Sequence, residues 1–396
     1  MSEGVGEDGG LGLYLHVPFC ARACPYCDFD FEVGRPATLG PAVARWLAGL
    51  ERERVARGLP SSAAIDTLYL GGGTPSVLDP DHLRALFEWL RTAWAVEPSR
   101  LREVTVELNP EHVDDERLAA LVSLGVGRVS LGVQSFDEVG LRELGRGHTR
   151  AQAIASVEAC VAHGLRTSAD LIVGWRGQTP ERLRDDVAEL DALGVEHVSI
   201  YGLTIEPGTP WPKLVARGLR VLPDEEVQAD LLLVAEAELL ARGFTHYEVA
   251  SYAKPGAEAI HNSKYWRWRD VVGLGPSAAS AEHRVEGGET IVERRSNPRG
   301  LAAWAGEAGA GEREPSVERL VGEEAAGEGL WLGLRRLRGL DVAGFSARFG
   351  VDRAWLEARI ARQLALGNLE WCDAGEGLRV AAGRWLWHDS IAVDLL

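Results

Sequence analysis

Six short, apolar, β-rich runs punctuate the first half of the chain, separated by helix-like stretches, and this alternation most narrows the folds open to it. The runs span residues 11–17, 65–70, 103–108, 128–133, 167–173 and 197–203. Each is bounded by Gly, Pro, Asn or Ser, as buried parallel strands are. Between them, 41–58, 80–94, 114–124, 151–163 and 180–193 carry apolar residues at the three-to-four spacing of a helix. Asp79-Pro80 and Thr179-Pro180 supply helix starts with Pro in the first helical position. Such alternation predicts an α/β fold: a partial barrel of six βα units, with an open doubly wound sheet as the competing arrangement. In either, a site forms at the C-terminal ends of the strands.

The rest of the chain is expected to be organised differently. The barrel spans 1–222. An extension follows over 223–304, opening with a helix near 224–242, then a Gly-, Ala- and Glu-rich linker over 305–316. The last part, 317–396, predicts helices near 318–337, 342–348 and 353–366, then strands at 369–372 and 378–381, a winged-helix-like α+β domain. Winged helices often bind DNA, but acidic residues outnumber arginines 14 to 11 from Gly311 onward. A lid or interaction role therefore fits better than nucleic-acid binding. The whole chain of 396 residues has a net charge of −17, which also argues against a broad basic face. No apolar run reaches the length of a membrane-spanning helix, and residues 1–10 lack the basic flank and apolar stretch of a leader. A cytoplasmic location is expected.

Five cysteines are too few, and odd in number, for a disulfide scaffold. Three of them, Cys20, Cys24 and Cys27, follow the first strand in a C-x3-C-x2-C spacing. Three thiolates on one tight loop can each hold one iron of a [4Fe–4S] cubane, leaving the fourth iron open to a small chelating molecule. Structural zinc, with His16, Cys160 or Cys372 as fourth ligand, is the alternative. Cys160 and Cys372 otherwise read as core residues. Gly71-Gly72-Gly73-Thr74-Pro75 follows the second strand and exposes backbone N–H groups. It lacks the Lys-Ser/Thr ending of a phosphate loop.

The stretch from Tyr14 and His16 through Val17-Pro18-Phe19-Cys20 to Cys27 resembles the radical S-adenosylmethionine (SAM) superfamily. More narrowly it is similar to the coproporphyrinogen III dehydrogenase-like branch, and the likeness runs through nearly the whole chain. The resemblance implies a partial (β/α)6 barrel, a [4Fe–4S] cluster, SAM, and an electron donor for the cluster. It implies SAM contacts at Tyr14, Tyr26, Gly72, Gly73, Thr74, Glu107, Gln134, Arg146 and Asp170. Acidic groups can accept from ribose hydroxyls or an amino group, and Arg146 can pair with a carboxylate. Without the resemblance, Glu107 and Asp170 could be rim salt-bridge partners and Arg146 a solvated residue.

Two features separate the branches of that family. The dehydrogenases carry a further cysteine two residues after the third, where this chain has Phe29. The heme-chaperone (HemW) group has Phe there. His261-Asn262-Ser263-Lys264-Tyr265-Trp266 also matches the H-N-x-x-Y-W motif that this group associates with heme. The resemblance thus implies a protein that binds heme, with His261 as candidate axial ligand, and delivers it to client proteins. Oxygen-independent coproporphyrinogen III oxidation in porphyrin biosynthesis is the alternative function. A buried, hydrogen-bonded structural histidine is the alternative reading of His261. Two departures stand out: Gly174-Trp175-Arg176-Gly177-Gln178-Thr179 replaces G-L-P-G-Q-T, and Ser277 and Ala279 replace a Gly and a His of G-L-G-P-G-A-H-S.

Overall fold

The computed structural model describes residues 9–306 and 314–396, so residues 307–313 of the expected linker lie outside the described residues. The six expected strands are β1 (Leu11–Val17), β2 (Ile65–Gly72), β3 (Glu103–Leu108), β4 (Arg128–Gln134), β5 (Arg166–Val173) and β6 (His197–Gly202). They pair in chain order, each parallel to the next. A doubly wound sheet requires the strand order to reverse, and here it never does. With right-handed crossovers, a sequential order puts every connecting helix on the same face of the sheet. The other face is left to curl around a lumen, which is the partial barrel.

Helices Gly40–Ala56, Pro80–Trp94, Asp115–Ser123, Arg150–Ala162 and Pro180–Ala192 make the crossovers. The Asp79 and Thr179 side chains accept from the N–H groups of His82 and Arg182, so both Pro-led helix starts are capped. A further helix, Glu138–Leu144, was not expected; two turns are too short to show a period. Its signals are the Asp137 cap and Gly145 in a left-handed conformation at its end.

Beyond the barrel, helix Glu225–Ala241 leads to β7 (Thr245–Glu248) and β8 (Ser251–Ala253), an antiparallel pair with β8 against β6. On the opposite edge β9 (Val271–Leu274) pairs parallel with β1. Strands β10 (Ala279–Glu286), β11 (Glu289–Ser296) and β12 (Ser316–Val321) continue outward as an antiparallel meander. The helix expected near 318–337 is corrected here. Its first residues are β12, and the helix proper is Glu323–Gly333. Ser-Val-Glu-Arg-Leu-Val shows no clean strand period of its own; it is made a strand by pairing antiparallel with β11, which outweighs the helical tendency of the residues after it.

Helices Glu323–Gly333, Val342–Phe349 and Arg353–Ala365 then pack with a small sheet of β13 (Leu340–Asp341), β14 (Leu369–Cys372) and β15 (Gly377–Val380), the winged-helix-like arrangement. This unit has its own core, including Leu330, Phe345, Phe349, Leu356 and Leu378. Two members, Trp268 and Val292, come from the preceding part of the chain, and Trp268 is the larger. Its ring lies edge-on to Phe345 and Phe349 at 5.6 and 5.4 Å, and its Nε1–H donates to Gly329 O at 2.8 Å. Trp268→Ala should therefore cost about 3–5 kcal/mol. Equilibrium urea unfolding followed by circular dichroism checks this; a loss below about 1 kcal/mol would mean that Trp268 is no anchor.

Candidate functional site

Alternation along the barrel strands builds the site. In β2 to β6, Tyr69, Glu107, Ser130, Asp170 and Ser199 face a single cavity of about 570 Å³. Their neighbours Leu70, Val106, Leu131, Leu171 and Ile200 point the other way, into the apolar core under the helices. The lumen is thus lined with hydroxyls and carboxyls, whereas the outer face of the same strands is hydrocarbon.

Cys20, Cys24 and Cys27 line the mouth of this cavity, and all three are free thiols. The loop is tied to the glycine run after β2. Gly73 N–H donates to Val17 O at 2.9 Å and Thr74 N–H to Phe19 O at 2.7 Å. A Cβ on Gly73 would lie 2.6 Å from Phe19 O, so only glycine allows this approach. Gly72 has φ +104°, and a Cβ there would strike the His16 ring. His16 is itself fixed by hydrogen bonds to Tyr14 Oη at 3.2 Å and Asp30 O at 2.8 Å.

A chain of polar contacts connects two of the cysteines. Cys20 Sγ and Thr74 Oγ1 lie 2.8 Å apart. Asn109 Nδ2–H donates to Thr74 Oγ1 at 3.2 Å, and Asn109 Oδ1 accepts from Arg146 Nη2 at 2.7 Å. Arg146 Nη1 in turn reaches Cys24 Sγ and Tyr26 Oη, each at 3.5 Å. Burial pushes the Cys20 thiol up to about 12, against the opposing hydrogen bond from Thr74. Three soft donors, with a guanidinium and a hydroxyl aimed at their sulfurs, suit an iron–sulfur cluster. Among the described residues no three His, Cys, Asp or Glu side chains converge on one point as a single zinc ion requires, whereas a cubane gives each thiolate its own iron.

Below the cysteines lie two carboxyls. Glu107 accepts from Tyr69 O–H at 2.8 Å and from Gly72 N–H at 3.1 Å. Burial raises it to about 7, with Asp170 adding to the rise and the two hydrogen bonds opposing it. Burial also raises Asp170, to about 6, against hydrogen bonds from Ser199 and Ser130. Gln134, at the end of β4, has φ +65°, unusual for a residue with a side chain, and sits at a register break against β5. This turns it into the cavity rim beside Arg146, with which it lines the chamber. The nine residues expected around SAM therefore come from all of β1 to β5 and their following loops. Eight of them line the cavity, and Tyr14 stacks behind Tyr69 at 6.1 Å.

His261 lies elsewhere. It sits on helix Ile260–Trp266, which closes the lumen at the N-terminal ends of the strands, and Glu103 accepts from the N–H groups of Ile260 and His261 at 2.9 Å each. The imidazole is 1% exposed. Its Nδ1 is 2.9 Å from Thr67 Oγ1 and its Nε2 is 3.4 Å from Tyr265 Oη. Burial, with Lys264 beside it, holds it down at about 3, so it is neutral. With both nitrogens engaged, neither is presented to a ligand, and the structure does not bring His261 to the cavity wall. Its neighbour Asn262 does line the cavity. Phe29 stands at the mouth, 65% exposed.

Several lining residues were not expected from the sequence: Tyr69, Ser130, His197 and Ser199. Their signal is the period-two polar interruption of each largely apolar strand, as in Thr-Leu-Tyr-Leu and His-Val-Ser-Ile-Tyr. Of the departures, Ser277 adopts φ +58° where the resemblance expects Gly, and its hydroxyl donates to Asp30 Oδ2 at 2.9 Å. Cys160 is fully buried as expected, while Cys372 is only partly so.

The raised carboxyls predict a pH dependence for the cofactor-free protein. Glu107, raised from 4.5 to about 7, binds its proton more tightly in the folded chain than in the unfolded one. Its stabilising contribution is full below its unfolded value and is lost as the pH rises through its folded value. Thermal stability should fall between about pH 5 and pH 8, by about 2–3 kcal/mol from this group, and Glu107→Gln should flatten that slope. Scanning calorimetry across this range is the check; an unchanged slope in the variant would contradict the assignment.

Comparison with known proteins places this geometry. Residues 14–190 match the model of the Radical SAM superfamily. The chain is 38% identical to the heme chaperone HemW of Mycobacterium tuberculosis over 271 residues, 68% of each chain. It is 31% identical to that of Bacillus subtilis over 361 residues, 89% of this chain and 90% of the relative. The fold is that of the coproporphyrinogen III oxidase HemN of Escherichia coli, a radical SAM enzyme, with TM-score 0.78 and 21% identity over 98% of this chain and 90% of that one. Identity of this order across most of both partners establishes common descent, and the chain accordingly belongs to the radical SAM superfamily and, within it, to the family of the heme chaperone HemW.

Proposed function

We propose that this protein is a heme chaperone: it binds heme and passes it to client proteins, with a [4Fe–4S] cluster on Cys20, Cys24 and Cys27 and SAM in the barrel lumen. The observation that carries the cofactor part is the meeting of three free thiols with the Gly72–Gly73 backbone at one end of a cavity of about 570 Å³. The heme part is supported by common descent with proteins named as heme chaperones. A reduced cluster with bound SAM supplies one-electron chemistry.

The chain's own residues do the rest. Thr74 and Arg146 direct donors at two of the three sulfurs. Asn109 holds both of them in place. Glu107, fixed by Tyr69 and the Gly72 N–H, is set to accept from a cationic amino group, and a cation there would favour its ionised form. Asp170 stands ready for hydroxyls deeper in the lumen. Arg146 can take a carboxylate with a fork that lies within reach of the cysteine loop. The resemblance gives Phe29 a further weight: a phenyl ring at the exposed mouth of the cavity occupies the place where the dehydrogenases have a fourth cysteine, which favours heme handling over porphyrinogen oxidation.

Anaerobically reconstituted protein should hold about four irons and four sulfides per chain, and Cys24→Ser should lose them. The wild type should develop a Soret band on hemin titration and release heme to an apo-hemoprotein, yet turn over no coproporphyrinogen III. Porphyrinogen turnover, or failure to bind hemin, would overturn the reading.

A further inference from the structure

The H-N-x-x-Y-W helix touches the SAM chamber through a continuous set of side chains. His261 Nδ1 holds Thr67 at the start of β2, two residues before Tyr69. The His261 and Tyr69 rings lie 5.4 Å apart at 34°. Tyr69 also stacks against Tyr14. Its hydroxyl donates to Glu107, and Glu107 accepts from Gly72 N–H on the glycine run that packs against the cysteine loop. Tyr265, one turn after His261, sets its hydroxyl on His261 Nε2. The helix is anchored from outside by Glu103, by Lys264 Nζ–H donating to Gly10 O at 2.7 Å, and by Trp268 in the C-terminal core.

We infer that His261 is a positioning residue of the SAM site: it fixes the Tyr69 ring, and through it the Glu107 carboxylate and the Gly72 N–H, and it does not ligate heme iron. This rests on the reading of the lumen as the SAM chamber. Three features carry it. The imidazole is sealed from solvent. Both of its nitrogens are engaged by residues of the barrel floor or of its own helix. The aromatic ring it supports holds a carboxyl that bonds the glycine run. A heme ligand would need a free nitrogen and an approach of several ångströms to a flat macrocycle, and neither exists on this face. The aromatic stack instead restrains a hydroxyl that would otherwise swing, and a preorganised carboxylate binds a cationic group with less ordering cost.

The test uses full-length, anaerobically reconstituted protein. SAM affinity is measured by equilibrium dialysis, and hemin affinity by Soret titration. His261→Ala and Tyr69→Phe should each weaken SAM about tenfold, the scale of one lost buried hydrogen bond, while hemin binding stays unchanged. His261→Asn, which can keep the bond to Thr67, should recover most of the loss. The pH profile separates positioning from general damage. Tyr14, Tyr69, Tyr201, Tyr265 and Asp170 surround Glu107, and of these only Tyr69 donates a hydrogen bond to it. Tyr69→Phe, which keeps the ring, should therefore move the midpoint of SAM binding to higher pH. Loss of hemin binding in His261→Ala with SAM affinity intact would overturn the inference and restore the histidine as a heme ligand. Normal SAM affinity in both His261→Ala and Tyr69→Phe would overturn it while leaving the chaperone reading in place. Wild-type protein that holds its cluster but binds no SAM would sink the cofactor reading and the inference together.

Discussion

Everything in this molecule answers to a polar lumen enclosed by hydrocarbon. Parallel strands alternate their side chains, so six strands that bury Val, Leu and Ile against outer helices must turn their other residues inward. Those residues include Glu107 and Asp170, whose desolvation is costly unless hydrogen bonds or a bound cation offset it. Tyr69, Gly72, Ser130 and Ser199 offset part of it. The remainder leaves two carboxyls with raised proton affinity facing a cavity, which is the electrostatic condition of a site waiting for a partner.

The mouth of that lumen is organised by backbone before side chains act. Gly72 and Gly73 let β2 end against the turn that carries Cys20, closer than any Cβ would permit. The cysteine loop is therefore placed by main-chain bonds to Val17 and Phe19, and its sulfurs inherit that position. Asn109 and Arg146 then join the ends of β3 and the loop after β4 to the same loop. Each βα unit adds one or two groups, and no single unit contains a site, which is the usual consequence of building at the rim of a barrel.

The opposite end of the barrel is closed by the segment that runs from Ala259 to Trp268. Its helix caps the strands through Glu103 and sends His261 and Tyr265 inward. Its far end sends Trp266 under the Arg335 guanidinium, 4.3 Å from the ring centroid, and Trp268 into the winged-helix-like core. One short motif thus holds the floor of the lumen and the C-terminal unit together, so a change at either contact reaches the other through about two helical turns.

The sequence by itself determined the alternation of strands and helices, the spacing of Cys20, Cys24 and Cys27, the glycine run and the carboxyls at strand ends. These are local: periodicity, chain reach and turn chemistry act over a few residues and leave their mark in the order of the letters. It also carried Phe29, whose meaning is one position on one loop. The tertiary structure alone decided which of the alternating residues face the lumen, that residues 316–321 are a strand, and that His261 is sealed with both nitrogens engaged. A strand is made by its partner and a buried imidazole by what closes over it, and both neighbours lie far away along the chain. The same four letters, His-Asn-Ser-Lys, describe an open ligand or a hydrogen-bonded floor equally well. Only the placement of Thr67, Tyr69 and Glu103 around them distinguishes the two.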